Sequence, residues 1–217
     1  MRSRFQHART GNRVSRPVEA VARALLRAAG WSLRGSAPPL GKYLLIAAPH
    51  TSDADFFVML PAAWAWGVRV HWLGKQELFR GALGPVMRAI GGIPVTRGAR
   101  GDLVQQAADA FQREAQLVVA VLPKGTRGAR PTWRSGFYAI ARSAHVPLVM
   151  VSADYATRTL RISEPLTLTG DVQRDMNAVR AFYAGVQGRR SDRNDVIRLE
   201  EETLEEETRG VAVTGSR

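Results

Sequence analysis

The sequence contains no cysteine and no long uncharged hydrophobic run. Without cysteine there can be no disulfide, no thiolate metal site and no cysteine nucleophile, and we expect a reducing, cytoplasmic compartment. The best candidate for a membrane span, VEAVARALLRAAGWSL, is interrupted by Glu19, Arg23 and Arg27, whereas a span needs roughly 18 apolar residues. A secretory signal also needs an uninterrupted apolar centre, so we expect neither feature. The Arg-rich, amphipathic N-terminus also resembles an organellar transit peptide, and we keep this as a second choice after the cytoplasmic protein.

Acidic residues are scarce, and lysine occurs only at Lys42, Lys75 and Lys124. The formal net charge is +12, and residues 191–217 hold four Arg against eight Asp and Glu, which leaves +16 on residues 1–190. A charge of this size favours an anionic partner, such as a nucleic acid, a membrane surface or a phosphorylated substrate. Because no nucleic-acid-binding motif accompanies the charge, we do not expect a nucleic-acid partner.

Length and composition predict one domain with a substantial core, since 45% of the 217 residues are hydrophobic. Residues 1–14 are predicted to be a basic, disordered N-terminus. Residues 15–190 are predicted to form the domain. The remainder, 191–217, is predicted to be an acidic tail that is either a solvated helix or disordered.

The first predicted helix begins after Ser15, which can cap it, with Pro17 in its first turn. Apolar residues recur along one side of this helix: Val18, Val21, Ala22, Leu25 and Ala29. This face either packs on the domain core or rests on anionic lipid, with Trp31 at the membrane interface. The sequence leaves both alternatives open.

Short apolar runs then alternate with helical patterns. The predicted strands are YLLIAA, VRVHWLG, GIPVTR, LVVAVLP and PLVMVSADY, with TLRISEPLTL as a late hairpin or edge piece. The predicted helices lie near 54–66, 101–115, 135–145 and 171–187. This alternation is typical of an α/β fold: a single domain whose largely parallel or mixed sheet is covered by helices on both faces.

A histidine and two aspartates interrupt the apolar pattern in PHTSDAD, residues 49–55. In α/β sheets, binding residues collect beyond the carboxyl ends of the strands, where His50 is predicted to lie. One interpretation is structural, with Ser52 as a helix cap and Asp55 completing a capping box. The other is catalytic: Asp55 fixes the tautomer of His50, which then removes a proton from a substrate hydroxyl. No G-x-S-x-G motif occurs, which disfavours a serine hydrolase.

Three further blocks follow in order: KQELFRGALGPVMRAIGGIPVTR at 75–97, LPKGTRG at 122–128 and VPLVMV at 146–151. Together with PHTSDAD, they resemble the glycerolipid acyltransferase family, which includes the 1-acylglycerol-3-phosphate acyltransferases. The resemblance covers roughly residues 43–155. It implies a glycerol-3-phosphate acyltransferase-like fold, a phospholipid-biosynthesis role at a membrane surface, and no metal or cofactor.

The resemblance also implies a reaction, in which a fatty acyl group passes from a coenzyme A or acyl-carrier-protein thioester to a glycerolipid hydroxyl. His50 would be the general base and Asp55 the residue that orients it. The implied substrate-binding residues are Arg97, Lys124, Gly125, Thr126 and Arg127. Guanidinium groups suit phosphate oxygens, and glycine lets a backbone approach a ligand closely. For Lys75 a phosphate contact and a plain strand-end charge remain equal alternatives, and His71 and His145 are predicted to have no catalytic role.

Lys124 departs from the family pattern, which has glutamate at this position. A carboxylate can accept hydrogen bonds from an acceptor's glycerol moiety, whereas a lysine can only donate. The replacement implies a damaged enzyme, an enzyme with a different acceptor, or a protein that only binds. We therefore keep two hypotheses: a peripheral membrane acyltransferase acting on a lysophospholipid, and a catalytically impaired relic that binds lipid, with nucleic acid as the second choice of ligand.

Overall fold

Strands and helices alternate along the chain in the computed structural model, which describes residues 12–95, 100–124, 132–190, 196–199 and 202. The strands are β1 (Ser32–Arg34), β2 (Lys42–Ala48), β3 (His71–Lys75), β4 (Gly92–Val95), β5 (Leu117–Val121), β6 (Leu148–Asp154) and β7 (Thr159–Ile162). The helices are α1 (Arg16–Ala28), α2 (Ala54–Ala65), α3 (Leu83–Ala89), α4 (Arg100–Arg113), α5 (Gly136–Ala144) and α6 (Val172–Tyr183), with a 3-10 turn at Gln76–Phe79.

The seven strands form one mixed sheet in the order β1-β7-β6-β2-β5-β3-β4. All neighbouring strands are parallel except β6 and β7, which form an antiparallel pair. Because β6, β2, β5, β3 and β4 run in the same direction, their carboxyl ends meet at one edge of the sheet. Whatever follows these strands in sequence is therefore brought together in space.

The central strand β2 shows how the sheet is covered. Leu44, Ile46 and Ala48 belong to the same buried cluster as residues of α4, α5 and α6. Tyr43 and Leu45, which alternate with them, belong to a second cluster that includes residues of α2. Successive side chains of a strand point to opposite faces, so helices lie on both faces of the sheet. The predicted α/β architecture is confirmed.

Helix α1 begins after Ser15 with Pro17 in its first turn, as predicted, although the Ser15 side chain makes no capping hydrogen bond, and its apolar face is divided between core and surface. The buried residues are Ala22 and Leu26, which belong to a cluster with Ala62 and Ala65 of α2. Val18, Val21 and Leu25 are exposed instead. The small residues of both helices allow a close approach at Ala22 and Leu26, and this contact turns the larger apolar residues outward.

Trp31 is buried, so the predicted place for it at a membrane interface is wrong. Its ring meets the ring of Tyr155 edge-on, with the centroids 4.9 Å apart. The short strand β1, which the sequence patterns do not predict, follows directly and pairs with β7. Trp31 therefore fixes the end of α1 against the carboxyl end of β6.

Most predicted elements are confirmed with shifted ends. Strand β3 begins at His71 and not at residue 68, and β4 is described as far as Val95, with the predicted strand residues 96 and 97 outside the described part of the chain. The late segment forms a hairpin, since β7 pairs with β6, but it is not the edge, because β1 lies outside it. Helix α3 was not predicted, since Gly84 and Pro85 within it are weak helix formers.

A few residues of both predicted terminal segments contact the domain in the part of the chain that the structure describes, and the rest of these segments lies outside it. Near the N-terminus, the backbone of Arg13 forms an isolated antiparallel β-bridge with Val68. The Asn12 backbone nitrogen donates a hydrogen bond to the side-chain oxygen of Gln116. Near the C-terminus, Leu199 is part of the largest core cluster, and Glu202 is buried. Leu199 lies between charged residues in the sequence, so no apolar periodicity indicates that it is buried.

Candidate active site

The carboxyl edge of the sheet places several predicted site residues near one another. His50 follows β2, and Lys124 follows the neighbouring strand β5. Lys75 is the last residue of β3, next to β5. Arg97 and the segment 125–127, with Gly125, Thr126 and Arg127, lie outside the described residues, so their predicted roles remain predictions.

The turn between β2 and α2 is organised by Asp55. Its Oδ2 atom accepts hydrogen bonds from the backbone nitrogens of Thr51 at 2.7 Å and Ser52 at 2.8 Å. The Ser52 hydroxyl in turn accepts a hydrogen bond from the backbone nitrogen of Ala54 at 3.1 Å. These contacts order the turn before α2, but the predicted cap is not formed as such, because the residue that precedes the helix is Asp53 and its side chain makes no capping hydrogen bond. A charged acceptor also suits the positive end of a helix.

The same carboxylate faces the imidazole of His50. The distance from His50 Nδ1 to Asp55 Oδ2 is 3.4 Å, and Asp55 is fully buried. A short charge-assisted hydrogen bond measures about 2.7–2.9 Å, but such contacts are often long in enzymes without substrate and tighten on binding. The structural and catalytic interpretations are therefore compatible, because one carboxylate orders the turn before α2 and faces the histidine.

Since Nδ1 of His50 faces Asp55, Nε2 is the ring nitrogen left to act on a substrate. The Nδ1 atom is inaccessible to solvent, while the side chain retains 9% exposure, which must come from its other atoms. A carboxylate beside Nδ1 favours a proton on that nitrogen and leaves a lone pair on Nε2. The geometry can therefore support proton removal by Nε2.

The sequence patterns missed one residue of this site, Tyr155. Its hydroxyl donates a hydrogen bond to Asp55 Oδ1 at 2.8 Å. Burial, and then the hydrogen bond and charge of Asp55, raise the pKa of Tyr155 well above its ordinary value. Tyr155 therefore stays protonated and able to donate. The available signal was its place just after β6, the strand that pairs with β2.

A cavity of about 320 Å³ lies beside the residues that precede His50. It is lined by Ala48, Pro49, Trp133, Tyr183, Gly185, Val186, Gln187 and Ile197. The Tyr183 hydroxyl donates to the carbonyl oxygens of Ile46 in β2 and Val151 in β6. It therefore links α6 to these two strands. Polar and apolar atoms contribute almost equally to the lining, and Ile197 brings the C-terminal segment into its wall.

Lys124 is buried, with 1% of its surface exposed. A buried ammonium group is costly unless protein groups compensate its charge. Lys124 is therefore part of the packed structure at the end of β5 and not a solvated surface charge. The replacement of the family's glutamate by lysine therefore changes a buried charge and not a surface one.

The other two described histidines lie away from His50. His71 begins β3 and so lies at the amino edge of the sheet, where burial lowers its pKa. His145 is exposed at the end of α5, in the left-handed conformation. Among the described residues, no group of three or more His, Cys, Asp or Glu side chains could hold a metal ion. Nor does this part of the chain contain a helix long and apolar enough to cross a membrane.

Comparison with known proteins finds similarity to a family model and to solved structures. The model of a family described as Acyltransferase matches residues 32–154, which is more than half of the chain. Among solved structures, the crystal structure of the 1-acyl-sn-glycerophosphate (LPA) acyltransferase PlsC from Thermotoga maritima is similar, with a TM-score of 0.55. That match has 17% sequence identity and covers 78% of this chain and 77% of PlsC. A search of curated proteins found no match.

Proposed function

The chain belongs to the acyltransferase family, and we propose that it acylates a hydroxyl of a lysophospholipid or related glycerolipid, with acyl-CoA or acyl carrier protein as the donor. The observation that carries this proposal is the pairing of His50 with a fully buried Asp55 at the carboxyl edge of the sheet. The fold shared with PlsC supports the choice of substrate class.

The chemistry follows from the orientation of the imidazole. Nε2 of His50 takes the proton of the acceptor hydroxyl as its oxygen attacks the thioester carbonyl carbon. Asp55 stabilises the imidazolium that forms. When the tetrahedral intermediate collapses, the carbon–sulfur bond breaks, and the proton on Nε2 passes to the departing thiolate. The products are the acylated lipid and a free thiol.

We further propose that basic groups after the neighbouring strands hold the anionic part of the acceptor. The candidates are Lys75, Arg97, Lys124 and Arg127, with Gly125 and Thr126 offering backbone and hydroxyl contacts. The strand order supports this, because β5, β3 and β4 lie side by side next to β2. Guanidinium and ammonium groups at one edge would complement a phosphate.

The proposal includes peripheral association with an anionic membrane, where the lipid acceptor resides. Its support is the exposed apolar side of α1, formed by Val18, Val21 and Leu25, on a strongly basic chain. Phe57, at the start of α2, and Leu83, in α3, are also exposed and lie beyond the strand ends that border the site. Apolar residues with surrounding positive charge suit a surface of anionic lipid.

The buried Lys124 favours a second candidate, a protein that retains lipid binding but has lost most of its transferase activity. Incubating purified protein with a panel of acyl thioesters and lysolipids, followed by mass spectrometry, separates the two. Acylated lipid and free thiol in equal amounts support the transferase. Lipid binding without any product across the panel supports the second candidate.

A further inference from the structure

Resting on the proposed acyl transfer, we propose that Tyr155 is a positioning residue: its hydroxyl holds Asp55 against His50 and tunes the strength of the base. Tyr155 belongs to none of the four sequence blocks, and it acts through Asp55. The proposal rests on how the carboxylate oxygens of Asp55 are used.

The two oxygens of Asp55 have different surroundings. Oδ2 accepts from the backbone nitrogens of Thr51 and Ser52 and also faces His50 Nδ1. Oδ1 accepts from the Tyr155 hydroxyl at 2.8 Å. The backbone contacts fix Oδ2, and the tyrosine fixes the rotation of the carboxylate about that point. A buried carboxylate that loses a donor becomes easier to protonate.

The position of the tyrosine hydroxyl is itself fixed from two sides. The Trp31 ring packs edge-on against the Tyr155 ring, with the centroids 4.9 Å apart. The Tyr155 backbone nitrogen donates to the carbonyl oxygen of Gln187 at 2.9 Å. A hydroxyl held in this way acts as a preorganised dipole, which is worth more than a mobile one in a buried site.

The direction of the electrostatic effect follows from the donor's polarity. The hydroxyl hydrogen partly neutralises the Asp55 charge that His50 experiences. Removing it should raise the proton affinity of the coupled His50–Asp55 pair, whichever of the two takes the proton. Asp55 raises the pKa of the Tyr155 hydroxyl, whereas the positive charge of Arg189 lowers it, and the Asp154 carboxylate accepts from the backbone nitrogen of Gln187 nearby. The buried Lys124 follows β5, the strand next to β2, and so adds a positive charge at the same edge of the sheet as His50.

The chain offers a matched control. Tyr138 donates to Asp175 at the same distance, 2.8 Å, at the start of α6, where the other donors to Asp175 among the described residues are Thr169 and Gly170. Tyr138→Phe and Tyr155→Phe therefore remove the same kind of bond from a buried aspartate. A purely structural effect would appear in both variants, whereas an effect on His50 should appear only in the second.

The test is an NMR titration of the full chain labelled at histidine, with the His50 signal identified by its loss in His50→Gln. We expect Tyr155→Phe to raise the pKa of His50 by about half to one pH unit, and Tyr138→Phe to leave it unchanged. An unchanged or lowered His50 pKa in folded Tyr155→Phe would overturn the proposal. If Tyr155→Phe fails to fold, fluorotyrosine at position 155, a stronger donor, should lower the His50 pKa, and no shift or a rise would equally overturn it.

A second arm uses activity. The acidic limb of kcat/KM against pH should move upward in Tyr155→Phe by the same amount as the NMR titration, and kcat should fall about 3- to 30-fold with KM little changed. Absence of transferase activity in the wild-type protein would contradict the proposed function and leave the NMR result standing. A fall in kcat with no movement of the limb would reduce Tyr155 to a structural residue.

Discussion

Arg180 and Glu202 form an ion pair of 2.7 Å that joins helix α6 to the C-terminal segment. Arg180 also donates to the carbonyl oxygen of Ile197, and Glu202 accepts from the backbone nitrogen of Leu199. Through these contacts, a segment whose composition suggests an exposed acidic tail becomes part of the core and of the cavity wall beside the candidate site.

We therefore expect Glu202→Ala to destabilise the protein. Its removal leaves the Leu199 amide without its acceptor and Arg180 without its carboxylate, at a cost of about 1–3 kcal/mol. Urea denaturation measures the change. Glu164→Ala, at an exposed position, is the control and should stay within about 0.5 kcal/mol of wild type. Equal effects of the two substitutions would mean that the C-terminal segment is not held by this pair.

Asp175 should make the free energy of unfolding depend on pH in the acidic range. Burial alone would raise its pKa, but hydrogen bonds from Thr169, Tyr138 and Gly170 outweigh burial and lower the pKa below its ordinary value. A lowered pKa in the folded state contributes stability above the unfolded value of about 4, and this contribution is lost as pH falls through the folded pKa.

Asp175→Asn should therefore cost about 1–3 kcal/mol at pH 7, and its difference from wild type should shrink as pH falls below about 4. Urea denaturation at several pH values, with the exposed Asp171→Asn as a control for the same helix start, gives the comparison. A difference that stays constant down to strongly acidic pH would show that the Asp175 charge is not what stabilises the start of α6.

Lys124 gives a prediction about substrate choice. If a carboxylate is needed to organise the acceptor site, Lys124→Glu should raise activity on a lysophosphatidate-type acceptor about 10- to 100-fold, as one or two restored charge-assisted hydrogen bonds would. Lys124→Met separates loss of the positive charge from gain of the negative one. Thermal unfolding of both variants checks that burial of the new side chain is tolerated.

The alternative outcome for Lys124 is equally specific. If the lysine serves a more anionic acceptor, Lys124→Glu should lower activity on that acceptor and leave the lysophosphatidate-type acceptor poor. No change on any acceptor, with the fold intact, would show that position 124 does not contact the substrate.

Helix α1 gives a prediction about the membrane. Val21→Asp places a charge in its exposed apolar side, and sedimentation with anionic liposomes should show binding weakened about 10- to 100-fold, the value of burying one such side chain. Val196→Asp is the matched control, because Val196 and Val21 are both 58% exposed. Wild-type binding should also weaken with salt, since exposed charges are screened within about 10 Å at 0.1 M. Equal loss in both variants would contradict a specific role for α1.

The sequence predicted the fold well where burial is continuous. The apolar runs of β2, β5 and β6 are strands buried on both faces, and such strands leave an unmistakable pattern. The three-residue β1 and the short α3 were missed because neither is long enough for periodicity to appear. For α1 the apolar pattern could not decide between core and surface, because Ala22 of the predicted face packs on α2 while Val18, Val21 and Leu25 are exposed.

The part of the candidate site that is local in sequence was predictable. His50 and Asp55 lie five positions apart in the sequence, so one turn brings them together, and the motif reveals them. Tyr155 is separated from Asp55 by 100 positions, and only the parallel pairing of β6 with β2 makes them neighbours. A single sequence does not reveal that register, so the tyrosine could be found only once the sheet order was known.

The central claim is that His50 is the base for acyl transfer, and its direct test is the steady-state rate of His50→Ala with an acyl thioester and a lysolipid. We predict a loss of about 10²–10⁴ in kcat/KM, the usual range for a positioned general base. The control, His145→Asn, changes an exposed histidine at a left-handed position that asparagine tolerates, and it should keep the wild-type rate. Turnover of folded His50→Ala at the wild-type rate would contradict the account.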